Sequence, residues 1–287
     1  MPLRPRDVAE MISELVPLPE ICMHVNEMAS RDDCSVKEIS AVISADPALT
    51  TRLLRLANSP FYGFSNRIDT VQRAVMVIGT QGLRDLVVAA YAVDAFSRVS
   101  TELVDLRAFW RHSMFCGLVT RQLAARMSLL HRERLFVAGL LHDVGKLAMY
   151  SAVPELVEVI LARFQVWDGP LYRAEESILG FHHGHVGAEL MAMWRLPECL
   201  QHVAAGHHHP DMDGPCATET ALVHLANNIA NLAGYGDSRL DDRVEFLESA
   251  WEHCRLSEEL VDGVIAQANV QLKDVMSSFL PATRSAA

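Results

Sequence analysis

His142 and Asp143 stand side by side in GLLHDVGKL. Neutral imidazole nitrogens beside carboxylate oxygens are donors that suit Zn, Fe, Mn and related divalent ions. Neighbours on a helix point about 100° apart, so this pair predicts an ion lodged beside a helix end. Gly145 would let another segment approach closely. Lys146, one of only three lysines in the chain, places a cation one turn from His142. Such a lysine can neutralise a bound phosphate or pair with an acid; the plainer reading is a basic residue near a helix C-terminus.

Histidine is concentrated around this pair. There are 13 in the chain, and eleven lie between His112 and His224. His112 sits in FWRHSMF, where a lone histidine on an apolar helix is commonly a core residue. FHHGHVG offers His182, His183 and His185 just before a helix, and GHHHP offers His207, His208 and His209 at a helix end, where a solvated turn would also fit. His224, in LVHLANN, is followed one turn later by Asn227 and Asn228. Each site is weak alone. Four separate elements delivering histidines toward one His-Asp pair exceed what packing explains.

The elements that must position these residues read as helices throughout. From Val36 to Leu56 the apolar positions recur mostly at three and four residues, and the pattern breaks at Asp46-Pro47, which predicts a capped helix start. Thr70 caps a run to Ile78, Gly79 stops it, and another run reaches Phe96. Polar residues from Arg98 to Leu106 mark a boundary. Helices are predicted over Arg107 to Met127, Glu133 to Tyr150, Pro154 to Phe164, Val186 to Trp194, Pro197 to Gly206 and Glu219 to Leu232. GYGDS is a turn, acidic helices follow over Asp241 to Cys254 and Ser257 to Phe279, and PATRSAA is a frayed tail. No stretch alternates with strand periodicity, so the fold class is all-α. Arg52, Arg55 and Asn58 form a basic-polar stripe, read as capping and packing ahead of nucleic-acid contact, and SPFYGF is expected to pack an aromatic turn on the second half of the chain.

Composition removes several functions. A formal charge of −11 argues against affinity built on a broad basic surface, which makes nucleic acid an unfavoured partner. Half the residues are hydrophobic and 21% charged, unlike a disordered chain. The longest apolar run, Leu86 to Val93, is far short of the ~18 residues of a membrane span, so no membrane is expected. No apolar leader precedes Asp7 and Glu10, and the six scattered cysteines form no C-x-x-C; a cytoplasmic protein with reduced thiols is the expectation. The charge is uneven: residues 201–287 carry 13 acids against 5 bases, a solvated face or a dock for a basic partner.

The order His112, His142-Asp143, His183, His207-His208 and then Asn227 resembles the HD superfamily of metal-dependent phosphohydrolases, nearest the layout of HD-GYP domains. The first half of the chain is similar instead to the HDOD (HD-related output) domain of bacterial signalling proteins, through LVPLPEICMHVNEM, ISADPALTTRLLRLANSPFYG and IDTVQRAVMVIGTQGLRDLV. LFVAGLLHDVGKL, ESILGFHHGHVGAELMAMWRLPE, HHHP and LVHLANNIA continue that resemblance over about residues 10 to 235. It implies two packed helical subdomains, 1–100 and an HD-like 101–287 that carries the acidic helices. It also implies one or two divalent ions, Fe, Mn, Zn or Mg, on His112, His142, Asp143, His183, His207 and His208.

Two departures matter. Asn227 occupies the place of the last, acidic ligand of competent enzymes, and no GYP signature follows the paired histidines. HDOD domains are viewed as non-enzymatic relays. The resemblance therefore implies a signalling output domain acting through protein contacts with a receiver domain, a sensor kinase or a nucleotide ligand. The alternative is a phosphohydrolase acting on a cyclic dinucleotide or another nucleotide, with Lys146 stabilising phosphoryl charge. A third reading is a sensing scaffold whose ion is structural.

Overall fold

The computed structural model describes residues 2–280 except 18, 30, 32–33, 98, 100–101, 167–168 and 237–243. The predicted tail 281–287, and parts of the predicted boundary, turn and acidic helix, lie outside the described residues. Among the described residues the chain is all helix and turn, with no strand.

Local signals set most helix starts. Pro5 opens α1 (Pro5–Leu15), which leads to α2 (Glu20–Ala29). Ser35 and Glu38 close a capping box on α3 (Val36–Ser44). Asp46 caps α4 (Pro47–Ala57), accepting from the backbone of Ala48 at 2.8 Å and Leu49 at 2.9 Å. Thr70 caps α5 (Val71–Ile78), and Gly79, at φ 87°, redirects the chain by 116° into α6 (Thr80–Phe96). No single described helix is long and apolar enough to cross a membrane.

The second half wraps around α7 (Leu106–Arg126), against which α8 (Arg132–Leu141), α14 (Ala217–Leu232) and α16 (Val261–Phe279) all pack. Between them run α9 (Val144–Ala152), α10 (Pro154–Gln165), α11 (Leu171–Leu179), α12 (His183–Met193), α13 (Glu198–Gly206) and α15 (Glu248–Cys254). One apolar core runs from Val8 to Phe279, and α1 packs on α9 and α12, so the chain's beginning helps to build the layer beneath the histidines. SPFYGF packs as expected: Phe61 meets Phe136 of α8 edge-on at 4.9 Å, with the Arg121 guanidinium 4.1 Å over its ring.

Three expectations are corrected. The single helix over Glu133 to Tyr150 is two, broken at His142-Asp143, because His142 ends α8 by turning its own Nδ1 onto the Gly139 carbonyl at 2.7 Å. The acidic helix begins at Glu248, and residues 244–247 are non-helical because their backbone bonds to α14 instead. Cys199 and Cys216 are joined as a disulfide with Cα atoms 5.6 Å apart, so the expectation of reduced thiols is wrong for this pair. The turn after α13 brings the two together across 17 residues, a closeness no local spacing announces. Cys22, Cys116 and Cys254 are buried thiols.

The basic-polar stripe is used internally. Arg52 pairs with Asp94 at 2.9 Å, Arg55 donates to the Ser277 carbonyl at 2.7 Å, and Asn58 holds Ile68 by both backbone groups.

Candidate metal centre

Two close helix crossings bring the donors together. Where α7 meets α8, a Cβ on Gly117 would lie 2.6 Å from the Phe136 carbonyl oxygen, and one on Gly139 would lie 2.7 Å from Thr120 Oγ1. Only glycine permits that approach, which sets His112 beside His142 with ring centroids 5.6 Å apart. Where α9 meets α12, a Cβ on Gly145 would clash with the His183 carbonyl oxygen, and that crossing sets Asp143 against His183.

Asp143 is 2% exposed and lies between two groups of donors. Its Oδ1 lies 3.1 Å from His183 Nε2 and 3.5 Å from His207 Nε2. His183 Nε2 in turn faces His208 Nε2 at 2.9 Å. Its Oδ2 lies 3.3 Å from His142 Nε2, 3.9 Å from His112 Nε2 and 2.8 Å from Lys146 Nζ. The six residues given as ligands by the sequence are thus all brought to one buried point. Asn227 is adjacent, its side chain facing His112.

The supporting bonds fix which nitrogen faces inward. His207, like His142, caps the helix before it, its Nδ1 donating to the Ala204 carbonyl at 2.8 Å. His183 Nδ1 meets Glu175 Oε2 at 2.7 Å, and the same oxygen accepts the His183 backbone N–H at 2.8 Å. In all three, the hydrogen bond at Nδ1 leaves Nε2 as the nitrogen that points inward, the arrangement that presents imidazole to an ion. His142 Nε2, His207 Nε2 and Asp143 Oδ1 are buried and make no hydrogen bond, which is costly for polar atoms unless something else satisfies them. These residues fit a divalent cation.

Electrostatics agree. Burial pushes His112 and His207 down to about 3, and pushes His208 well below the usual range, so all three offer lone pairs at neutral pH. Burial alone would raise the Asp143 carboxyl, but His142 and Lys146 outweigh it and hold the group well below the carboxylate range. Burial likewise opposes a proton on His142, and the Asp143 charge overrides it, as Glu175 does for His183. An arriving cation would displace those protons.

A stability prediction follows for the metal-free protein. Unfolded imidazoles titrate near about 6.5. Below that pH the unfolded chain takes up protons that folded His112, His182, His207 and His208 refuse, while His142 and His183, whose affinity for a proton is raised, are already protonated in both states and act only above that pH. The lowered groups are the majority, each worth up to about 1.4 kcal/mol per pH unit. Stability is therefore expected to fall as pH drops from about 6.5 toward 3. Urea midpoints at pH 6.5, 5.5 and 4.5 check this; a flat or rising series would contradict it.

Sequence reasoning missed three neighbours. Glu175 lies eight residues before His183, folded back across the turn at Gly180 (φ 80°), so no short spacing links them. The Cys116 thiol reaches His142 from α7, and its place four residues after His112 is the one signal that could have found it. Tyr172 stacks on His208 with ring centroids 4.2 Å apart. The Glu175→Gln substitution is expected to weaken metal binding about 10–100-fold with the fold kept, since it removes a charged support behind a donor. Equilibrium dialysis with Zn2+ or Mn2+ reads this directly.

His224, weighed as a ligand from its sequence, is a brace: Nδ1 donates to the His207 carbonyl at 2.9 Å and Nε2 accepts the Leu247 N–H at 3.2 Å. Residues 245 and 247 are thereby tied to α14 beside the cluster. Asn228 Oδ1 accepts the Glu245 N–H at 2.7 Å, and Tyr172 Oη and Arg173 hold the Glu245 carboxylate at 3.1 and 3.3 Å. The cavity left among Tyr172, His208, His224, Asn227, Asn228 and Glu245 measures about 20 Å³.

A family model described as the HDOD domain matches residues 15–210. An uncharacterised protein of Treponema pallidum (strain Nichols) is 27% identical over 226 residues, covering 76% of this chain but only 43% of that protein. This chain thus spans under half the length of that curated relative. Among solved structures, an HDOD domain protein of unknown function from Geobacter sulfurreducens superposes with a TM-score of 0.78 at 24% identity, over 96% of this chain and 98% of that one. A protein of Shewanella amazonensis SB2B, provisionally assigned as a phosphohydrolase, gives 0.75 at 25% identity, over 95% and 98%. One of Marinobacter aquaeolei VT8, provisionally assigned to signal transduction, gives 0.72 at 21%, over 96% of this chain and 61% of that chain.

Proposed function

The chain belongs to the HDOD family, and from that premise we propose that it is a signalling output domain that binds a divalent ion without turning over a phosphoester. The observation that carries this reading is how little space the described residues leave beside His208 and Asn227. A cavity of about 20 Å³ beside His208 and Asn227 has room for about one water, whereas small-molecule substrates occupy clefts of about 300 Å³ or more. Asn227 supports the same reading, since a neutral amide adds no charge with which to polarise bound water.

The preferred ion position is among Asp143, His183, His207 and His208, the larger of the two donor groups. The smaller group, His112, His142 and Asp143, already has a cation on its shared oxygen in Lys146. Three imidazoles and one carboxylate suit Zn, Fe or Mn better than Mg, which prefers oxygen ligands. When bound, the ion would tie α9, α12 and the turn after α13 together; Glu175 and the helix-end carbonyls would keep the imidazoles aimed. Output would pass through protein contacts to a receiver domain or a sensor kinase, and the acidic stretch from Glu245 to Asp262 is the surface suited to a basic partner.

The competing reading, a nucleotide phosphohydrolase, is favoured by Lys146 at 2.8 Å from Asp143 and by the Shewanella neighbour's provisional assignment. One experiment separates them. Protein loaded with Mn2+ or Fe2+ is assayed against bis(4-nitrophenyl) phosphate and cyclic dinucleotides, with metal content measured on the same sample. Occupied sites with no turnover are expected; metal-dependent turnover abolished by His183→Ala would overturn the proposal.

A further inference from the structure

A second cavity, of about 650 Å³, opens between α4, the end of α6, the first turns of α7 and the last turns of α16. Among the described residues, none that lines it belongs to the metal centre or to residues 244–247. Its rim carries Arg55, Arg107 and Lys273, all exposed, and among the described residues no acid lines it. That is unexpected in a chain with 36 acids against 25 bases. Arg55 is held in place across the cleft by its 2.7 Å bond to the Ser277 carbonyl. Beneath the rim lie Leu106, Leu272, Met276 and Leu280.

A cationic rim above an aliphatic floor selects a molecule with an anionic head and an apolar body. The floor decides what kind of body. Trp110 is the one aromatic residue among the described residues of the lining, and at 1% exposure it offers no ring face on which a base could stack. A nucleotide would therefore lose the contact that usually holds its base. An alkyl chain needs only the leucine and methionine surface, and methionine adapts its shape to such a chain. The chain's own residues 281–287 carry one arginine and no acid, the wrong charge for this rim.

We propose that this cleft binds a single-chain anionic amphiphile, a fatty carboxylate or an alkyl phosphate, with its head between Arg55, Arg107 and Lys273 and its tail along Leu106, Met276 and Leu280. Ligands of this size and polarity occupy cavities of about 300–1,000 Å³. A site here would give the domain an input separate from the metal centre, reaching it through α7, which carries Arg107 and Trp110 at one end of the cleft and His112 further along.

The test is calorimetric titration of the full chain with dodecyl phosphate and dodecanoate below their micellar concentrations. Inorganic phosphate, dodecyltrimethylammonium, ATP and phosphatidylglycerol vesicles are run alongside. Saturable 1:1 binding of both anionic amphiphiles is expected. The cationic amphiphile should bind at least about tenfold more weakly, because rim charge selects the head. The exposed double variant Arg107→Glu/Lys273→Glu, checked for an unchanged melting temperature, should lose at least about tenfold in affinity. Equal binding by that variant, equal binding of the cationic amphiphile, preference for ATP or inorganic phosphate, or binding confined to vesicles would each overturn the proposal.

Discussion

The Asp143→Asn substitution is expected to leave the protein folded but empty of metal. Asp143 is the one residue common to both donor groups, with one oxygen toward His183 and His207 and the other toward His142 and Lys146. An amide keeps the shape and removes the charge, so an incoming divalent ion would meet imidazoles alone beside a buried ammonium. Affinity should fall by more than the ~10–100-fold expected for losing a supporting bond. Stability should also drop, by about 1–3 kcal/mol, because Lys146 is 8% exposed and loses the charge that it faces. Adding Lys146→Met should recover part of that stability and none of the metal. Metal content by mass spectrometry and urea unfolding of the single and double variants read the two effects separately. A single variant that retains stoichiometric metal would show that the ion sits elsewhere.

The second large effect is expected from a single methyl group. In Gly145→Ala the new Cβ would lie inside the contact distance of the His183 carbonyl oxygen and 2.6 Å from the Gly187 backbone nitrogen. Both are backbone atoms within α12, so neither can swing aside as a side-chain end would. The crossing of α9 and α12 must open, in a region where Val144, Leu147 and Val186 are buried completely or nearly so. Overpacking of this kind costs about 1–3 kcal/mol and sometimes more, and here the upper end is expected because backbone opposes backbone. The same displacement would move Asp143 away from His183, so metal affinity and the urea midpoint should fall together. A variant with wild-type stability would mean that the crossing is looser than this geometry requires.

Much of the site was legible before any coordinates. His112, His142, Asp143, His183, His207 and His208 were readable because their residue types are rare on apolar helices and their order matches a known family. Helix starts at Asp46 and Thr70 were legible, since a cap acts within three or four residues. The break at His142 was not. Glu133 to Tyr150 contains no proline, and its helix ends because one imidazole bonds a carbonyl three residues back, a choice among rotamers that composition does not record.

By itself, then, the sequence determined an all-helical chain, the histidines and aspartate that meet in one buried cluster, the amide Asn227 beside them, and an excess of acid after residue 200. Only the tertiary structure decided which oxygen of Asp143 faces which imidazole, that Glu175 stands behind His183, that Glu245 and Leu247 bond to α14, and that Arg55, Arg107 and Lys273 share one cleft. The physical reason is range. Caps and periodicity act over a few residues of one helix, whereas these contacts join segments 8 to more than 200 residues apart, as Glu175 with His183 and Arg55 with Ser277 show. Whether such segments meet depends on how glycine-lined crossings let whole helices approach, and that is settled only when the core packs.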